Sequence, residues 1–486
     1  MFRVIVEKEL RELFQSPRFV VTYGIVAVLI LLSFWLAAGQ HLQNVAEVEA
    51  ARSEATRQLQ GQTDWARVEP RVHRPPSPLE SLVAGIGHDV GRSVEIAPGA
   101  PVRPSTSLYG ERPLLALWRV LDLDFVFRVV LSLFAILFTF DAISGEKERG
   151  TLRLALSNAV PRDTFILAKM VGAFFGLVVP LLVPILGGCL LLLARGVVME
   201  ASDWLRLASI VGVGCLYLTA FLGLSLLVSA RTHRASTSFL VLLVLWIGVV
   251  LVVPSSAVLA AGRAVDVPSV DADLFQRSRL ASQLFAEDRE ALSTKLNSSE
   301  GTIRFEIDSE DGEDPADAIA RIQADINGFL QERADQRRQR MDALDRRLAE
   351  QRGHLEARRQ DLALGLARLS PAAVFSLAAM DLAGTSLDLP RHFARQAVVY
   401  RDDFERFVRE QTGRAGGGIR ILIQADGDDS SAPPPLDPAD LPVFRYTPLG
   451  PGHAIEAASF EIGLLAAFAA LCFAGAHVSF LRYDPR

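Results

Sequence analysis

The segment Gly145–Thr151, GEKERGT, has residue types that bind phosphate in other proteins: two glycines at P-loop spacing, followed by threonine. A P-loop also needs a lysine between its second glycine and its threonine, and that lysine is absent here. Glu146 and Glu148 would repel phosphate groups, and the segment follows an apolar run typical of a membrane span rather than a buried strand. The sequence therefore predicts that no nucleotide binds to this segment.

Other arrangements that could carry out catalysis are weak. The chain has no GxSxG or HExxH motif and no convincing pair of carboxylates within an apolar run. His88–Asp89 is a lone pair in a glycine-rich stretch, which favours a structural role. Cysteines occur within apolar runs and form neither a CxxC motif nor a Cys/His cluster, at Cys189, Cys215 and Cys472. We expect no catalytic residue, metal or cofactor on this chain.

Composition places the chain among membrane proteins with a substantial aqueous part. Of its 486 residues, 50% are hydrophobic and 22% are charged, and the mean hydropathy is +0.26. The net charge of -6 is small for this length and gives no reason to expect a nucleic-acid partner.

The apolar runs predict membrane spans, because crossing a bilayer takes roughly 20 apolar residues in a helix. We expect an all-α polytopic membrane protein with six transmembrane helices and a mainly helical extracytoplasmic domain. The predicted segments are an amphipathic interface helix at 1–18, spans at 19–38, 122–143, 165–194, 205–230, 236–261 and 458–481, a cytoplasmic loop at 144–164, and extracytoplasmic regions at 39–121 and 262–455.

Basic residues predict the orientation of these spans. Lysines and arginines cluster before the first span, after the second, between the fourth and fifth, and after the sixth. With six spans all of these clusters fall on one side, which the positive-inside rule makes cytoplasmic. The prediction is a multi-pass protein of the inner (plasma) membrane with both termini in the cytoplasm.

The larger extracytoplasmic region contains a densely charged helical stretch. Apolar residues recur there every seven positions, at Met341, Leu348, Leu355, Leu362 and Leu369, with Leu344 between the first two and an earlier stripe at Ile319, Ile322, Ile326 and Leu330. This pattern is typical of an amphipathic helix that packs against its neighbours. A coiled-coil arm or a partner-binding helix gives the same pattern, and these alternatives stay open.

Ionisable residues within spans are costly and therefore informative. Arg128 lies four residues after Asp124, so we expect an ion pair along one helix. Asp141 lies at the inner end of the second span. Glu461, near the outer end of the sixth, either faces a polar cavity or a subunit interface or reaches the outer surface.

The loop after the second span resembles the cytoplasmic loop of ABC-2 type permeases. The match covers GEKERGTL and the following SNAVPRDTFILAKMVGA, through Gly145, Glu146, Glu148, Gly150, Thr151, Leu152, Pro161, Arg162 and Lys169. The beginning of the chain, RVIVEKELRELFQSPRF, is similar to the interface helix of that family. The insertion before the last span resembles that of a subfamily with large extracytoplasmic domains.

The resemblance implies a permease subunit whose loop receives force from a separate ATPase subunit, which binds the ATP and magnesium. The residues expected to couple to the ATPase are Gly145, Glu146, Lys147, Glu148, Arg149, Gly150, Thr151, Pro161 and Arg162. It also implies a second permease subunit, the same chain or a related one, in contact with membrane lipid. A periplasmic or envelope partner for the outer domain is a further expectation.

Three functions remain open at this stage. An ATP-driven exporter fits the resemblance best. A mechanotransmission or sensory complex would move the outer domain without transporting a substrate, and a membrane scaffold would have no energetic role.

Overall fold

A computed structural model describes residues 2–59, 62–63, 65, 68–86, 91–96, 121–152, 157, 161–308, 315–412, 436–437 and 440–483. His88–Asp89 and the side chains of Ile319, Ile322 and Ile326 lie outside the described part of the chain. The helices are α1 (Phe2–Phe14), α2 (Pro17–Leu59), α3 (Pro78–Leu82), α4 (Leu123–Phe125), α5 (Ser132–Thr139), α6 (Ser144–Arg149), α7 (Arg162–Ala194), α8 (Ala201–Arg231), α9 (Ala235–Trp246), α10 (Val253–Ala264), α11 (Val270–Asp308), α12 (Pro315–Ala367), α13 (Pro371–Ala383), α14 (Asp388–Thr412) and α15 (Pro451–Leu481). Two π-helical segments, π1 (Val126–Leu131) and π2 (Ile247–Val252), and two strands, β1 (Arg71–His73) and β2 (Ser93–Glu95), complete the described elements.

The described helices confirm the predicted all-α polytopic fold. Seven of them are long and apolar enough to cross a membrane: Pro17–Leu59, Leu123–Arg149, Arg162–Ala194, Ala235–Ala264, Ala201–Arg231, Pro451–Leu481 and Pro371–Gln411. The first six overlap the predicted spans, although the first and second candidates extend beyond the predicted bounds, to Leu59 and Arg149. The seventh candidate is the least apolar of them and is interrupted at Gly384, whose φ of 72° is left-handed and ends α13. With 13 residues, α13 alone is shorter than a bilayer crossing requires.

The chain divides into two compact units. The first contains Met1–Pro254 and Arg368–Arg486, and the second contains Ser255–Ala367. The sequence predicted a single extracytoplasmic domain over 262–455, whereas the structure assigns its two parts to different units. The physical reason is that α13 and α14 bury their apolar faces within the first unit.

Within the first unit, α8 forms the centre of a helical bundle and packs most extensively against α15. Glycine allows these helices to approach closely: a Cβ atom added at Gly223 would lie 3.2 Å from the Cβ of Cys472. Further aromatic packing comes from Tyr217 and Phe221, which are buried side by side in α8.

A smaller apolar core in the first unit joins sequence segments that are far apart. β1 and β2 form an antiparallel pair with Val72 opposite Val94, and these valines pack with Phe393 and Phe404 of α14. This explains the spacing of the apolar residues in α14, whose polar face stays exposed.

A buried ion cluster lies beside these strands. The Glu80 carboxylate accepts hydrogen bonds from Arg74 at 2.9 Å and from Arg92 at 3.2 Å. Burial by itself would lower the pKa of Arg74, but the charge and hydrogen bonds of Glu80 outweigh burial and raise that pKa above its ordinary value. Arg74 therefore stays charged in the folded protein.

The second unit is a helical hairpin in which α11 and α12 run antiparallel. Ion pairs join the two helices, as between Arg352 and Asp273 at 3.0 Å and between Arg340 and Glu287 at 2.9 Å. The predicted apolar positions Met341, Leu344, Leu348 and Leu355 are half-buried, whereas Leu362 is exposed. The heptad pattern thus packs α12 against a neighbour in the same chain, and binding of a partner stays a prediction.

Candidate functional site

Helix α6 contains most of the predicted coupling residues. Specific contacts and backbone conformations fix where this helix begins and ends. At its end, Gly150 has a φ of 75°, a left-handed conformation that glycine adopts without steric cost. At its beginning, the N–H groups of Ile143 and Ser144 donate to the Ser229 hydroxyl of α8, at 3.0 and 2.9 Å. Because the first N–H groups of a helix have no partner within it, Ser229 acts as a cap supplied by another span.

Space is also tight at the second position of α6, Gly145. A Cβ atom added at Gly145 would lie 3.2 Å from the Cβ of Asp141, which is tighter than an ordinary contact. The N–H of Gly145 donates to the Asp141 carbonyl at 2.8 Å. Asp141 thus lies at the turn into α6, at the predicted end of the second span.

The Glu146 side chain lies inside the protein rather than on its surface. It is only 6% exposed and pairs with Lys169 of α7 at 2.9 Å and with Lys8 of α1 at 3.4 Å. Lys169 also pairs with Glu9 of α1 at 2.7 Å. One buried lysine therefore joins α6 to α1, and the Glu146 carboxylate is engaged within the chain.

Lys147 and Glu148 contact the two helix ends at the turn between the fourth and fifth spans. The Lys147 ammonium donates to the carbonyl oxygens of Ala230 and of Thr232, the latter at 3.1 Å. The Glu148 carboxylate accepts from the N–H of Ala235 at 3.0 Å. A cation at the carboxyl end of α8 and an anion at the amino end of α9 both complement the helix dipoles.

Arg162 connects the start of α7 to the end of α15. Its guanidinium donates to the carbonyl oxygens of Leu481 at 2.7 Å and Tyr483 at 3.0 Å. Pro161, the preceding residue, is exposed and is the last residue before the helix. Arg162 is thus a second internal connection at this end of the bundle, which we call the α6 end.

Only part of the predicted set faces solvent. Glu148, Arg149, Gly150 and Thr151 are exposed, whereas Gly145 and Glu146 are buried. The Arg149 side chain bends back so that its Nε donates to the Gly145 carbonyl at 3.1 Å. The surface that α6 presents is therefore the short edge Glu148–Thr151; residues 153–156 and 158–160 of the predicted loop lie outside the described ranges.

Helix α1 reaches this site by packing closely against α7. A Cβ atom added at Gly172 would lie 2.9 Å from the Cβ of Glu9, and one added at Gly176 would lie 2.8 Å from Leu13. Small residues four apart let two helix backbones approach, and here they bring Glu9 to Lys169. Sequence reasoning did not identify the partners of Lys169, although a charge within an apolar run indicates a buried counterion.

The ionisable residues at the other end of the spans also pair within the chain. Arg128 lies 3.3 Å from Asp124, the ion pair that their spacing predicts. Glu461 is 3% exposed and pairs with Arg368 at 2.6 Å. Glu461 is therefore buried against Arg368, which is far away in sequence, and does not reach the surface of this chain; a polar cavity or a subunit interface stays a prediction.

Metal binding has no support in the described ranges, where no group of three or more histidine, cysteine or acidic side chains could hold an ion. At α6, the carboxylates and the lysine side chain that a phosphate would meet are instead engaged by α1, α7, α8 and α9.

Comparison with known proteins gave two matches to family models. The model described as ABC-2 family transporter protein matches residues 3–298, and the model described as a domain of unknown function (DUF3526) matches residues 316–416. No curated protein matches this chain.

Proposed function

This chain belongs to the ABC-2 transporter family, and from that premise we propose that it is the permease subunit of an exporter driven by ATP hydrolysis on a separate ATPase chain. ATP and magnesium would bind to that partner. The observation that carries the proposal is the position of α6, whose charged residues engage the ends of several spans while its edge Glu148–Thr151 stays exposed.

A force applied to this edge would reach the bundle by defined routes. Through Glu146 and Lys169 it reaches α7 and the interface helix α1. Through Lys147 it reaches the end of α8, and through Glu148 the beginning of α9. Buried or capped ion contacts resist displacement more than solvated ones, because separating them leaves charges or helix ends without partners.

Exposed apolar surface of the single chain supports two further partners, membrane lipid and a second permease subunit. Large apolar side chains of the first and fifth spans are exposed, for example Val20, Val28, Leu240 and Val244. We infer that membrane lipid covers part of this surface and that a second permease subunit, identical or related, covers the rest. In this assembly both termini lie in the cytoplasm, the protein resides in the inner membrane, and an envelope partner meets the outer region.

The docking edge can be tested by charge reversal. Arg149→Glu should reduce co-purification of the ATPase chain at least about tenfold, because the edge would carry two adjacent acids where it now carries opposite charges. Arg18→Glu, which reverses an exposed arginine in the first turn of α2, should leave co-purification unchanged. Equal recovery of the ATPase with Arg149→Glu and wild type would overturn the assignment of this edge.

A mechanotransmission complex is the second candidate function. The observation that favours it is the second unit, in which helices of 39 and 53 residues pair lengthwise and could transmit motion. Reconstitution of the complex with its ATPase in liposomes separates the two functions. ATP-dependent movement of a substrate across the bilayer supports the exporter, whereas ATP hydrolysis without movement of any lipid, peptide or drug-like substrate tested supports mechanotransmission.

A further inference from the structure

The fifth span, Ala235–Ala264, is held to the bundle along one narrow stripe. Its buried residues within α9 and π2 recur every four positions, at Ser238, Leu242, Trp246 and Val250. Most of its remaining large side chains are exposed. Within this chain, a helix with so little buried surface breaks fewer contacts when it moves than the well-packed α8 would.

Hydrogen bonds from three different elements hold this span at three positions along its length. Glu148 of α6 accepts from the N–H of Ala235 at its beginning, at 3.0 Å. The indole Nε1 of Trp246 donates to the Ser132 hydroxyl of α5 at 2.9 Å. Within π2, the Val249 carbonyl accepts from the Ser370 hydroxyl at 2.5 Å.

The last contact is possible because π2 is not a regular α-helix. A π-helical turn changes the backbone pairing, and in a membrane a hydroxyl from a neighbouring helix can satisfy a freed carbonyl. Ser370 supplies that hydroxyl while its oxygen accepts the N–H groups of Ala372 and Ala373 at 3.1 and 3.3 Å, capping α13. Its single proton and its lone pairs are thus all engaged.

Helix α13 is itself fixed to the rest of the bundle. The Phe375 ring stacks on Tyr217 of α8 at 4.9 Å, and the Ser376 hydroxyl donates to Asp124 at 2.6 Å. Just before α13, Arg368 pairs with Glu461 of α15 at 2.6 Å. Ser370 therefore caps a helix that several contacts fix in place. Its hydroxyl reaches the fifth span, which buries little surface within this chain.

We propose that the fifth span is a moving element, hinged at π2 and latched there by Ser370. In the state described here the latch is closed. Movement of α6 displaces the beginning of the span through Glu148, and the Ser370–Val249 hydrogen bond then breaks or re-forms with another carbonyl of π2. This assigns a function to part of the matched domain of unknown function. Helix α13 lies within that domain and stays in place while the fifth span moves against it. The inference rests on the proposed function, because the motion is driven by the ATPase.

Distance measurements between spin labels test the hinge in the complex with its ATPase. With Cys189, Cys215 and Cys472 replaced by alanine, one label pair joins the exposed positions 240 of the fifth span and 471 of α15, as Leu240→Cys with Leu471→Cys. The reference pair, Leu205→Cys with Leu471→Cys, joins α8 to α15. Between the nucleotide-free and ATP-trapped states, the first distance should change by about 2 Å or more and the reference distance should not.

Variants at Ser370 test the latch. Ser370→Ala removes the donor to Val249, so the first label pair should show a broader distance distribution already without nucleotide. Ser370→Thr keeps a hydroxyl and should behave as wild type, which also controls for folding. An unchanged 240–471 distance on ATP trapping, or Ser370→Ala matching Ser370→Thr, overturns the inference. Failure to recover an ATPase with the chain would instead contradict the proposed function.

Discussion

The two ends of the bundle in the first unit both carry buried charges, but they are built differently. At the α6 end, the consecutive residues Glu146, Lys147 and Glu148 contact other helices. At the opposite end, the contacts join residues far apart in sequence, as between Arg368 and Glu461 or Ser376 and Asp124. A contiguous motif can be recognised in a sequence, whereas a junction of distant residues becomes visible only in the fold.

The two ends of the bundle also suit different roles. The α6 end combines an internal ion network with an exposed edge, which suits a site that receives a partner. The opposite end engages its charges within the chain and fixes α13 in place. Variants that remove one partner from each junction test whether the two ends differ in this way.

The largest effect is expected at Lys169, which is 3% exposed and pairs with two carboxylates. Lys169→Met would leave Glu9 and Glu146 without their buried cation, which costs about 3–5 kcal/mol of folding free energy. Lys8→Met is the matched control, because the Lys8 side chain is 52% exposed and its loss should cost at most about 1 kcal/mol. Thermal unfolding of the purified protein in detergent measures both, and equal shifts in Tm would contradict a buried network.

A smaller loss is expected at the opposite end. Arg368→Met leaves the Glu461 carboxylate buried without its partner, but the Arg368 side chain is 36% exposed, so solvent can replace part of the interaction. We expect a loss of about 2 kcal/mol in the same unfolding experiment. Arg391→Met, which removes an exposed partner of Asp388, should change stability by less than about 1 kcal/mol. If Arg368→Met proves as mild as Arg391→Met, this junction does not fix α13.

The next effect concerns the cap that α8 gives to α6. Ser229→Ala removes the acceptor for the N–H groups of Ile143 and Ser144 and should cost about 1–2 kcal/mol. Ser225→Ala, one turn earlier, should cost less than about 0.5 kcal/mol, because the buried Ser225 hydroxyl has no hydrogen-bond partner within the described ranges. Hydrogen exchange of the α6 amides should therefore rise in the first variant only. A rise in both would mean that Ser229 acts through packing rather than through its hydroxyl.

The sequence predicted the class of fold, the apolar spans and the family, because hydropathy and a contiguous motif are local properties. It did not predict that Glu146 is buried, since that depends on α1 packing against Gly172 and Gly176 of α7. Nor did it place α13 within the bundle. A helix of 13 residues is too short to read as a span, and its partners lie up to 252 residues away.

The central claim is that the edge of α6 is where an ATPase subunit acts on this chain, and photo-cross-linking tests it most directly. A photoreactive amino acid at the exposed position Thr151 would be compared with one at Val443, which is 76% exposed in the segment that packs with α14. In native membranes, we expect a cross-link from position 151 to an ATPase chain and none from position 443. A cross-link to the ATPase from 443 but not from 151 would show that the ATPase acts elsewhere on this chain.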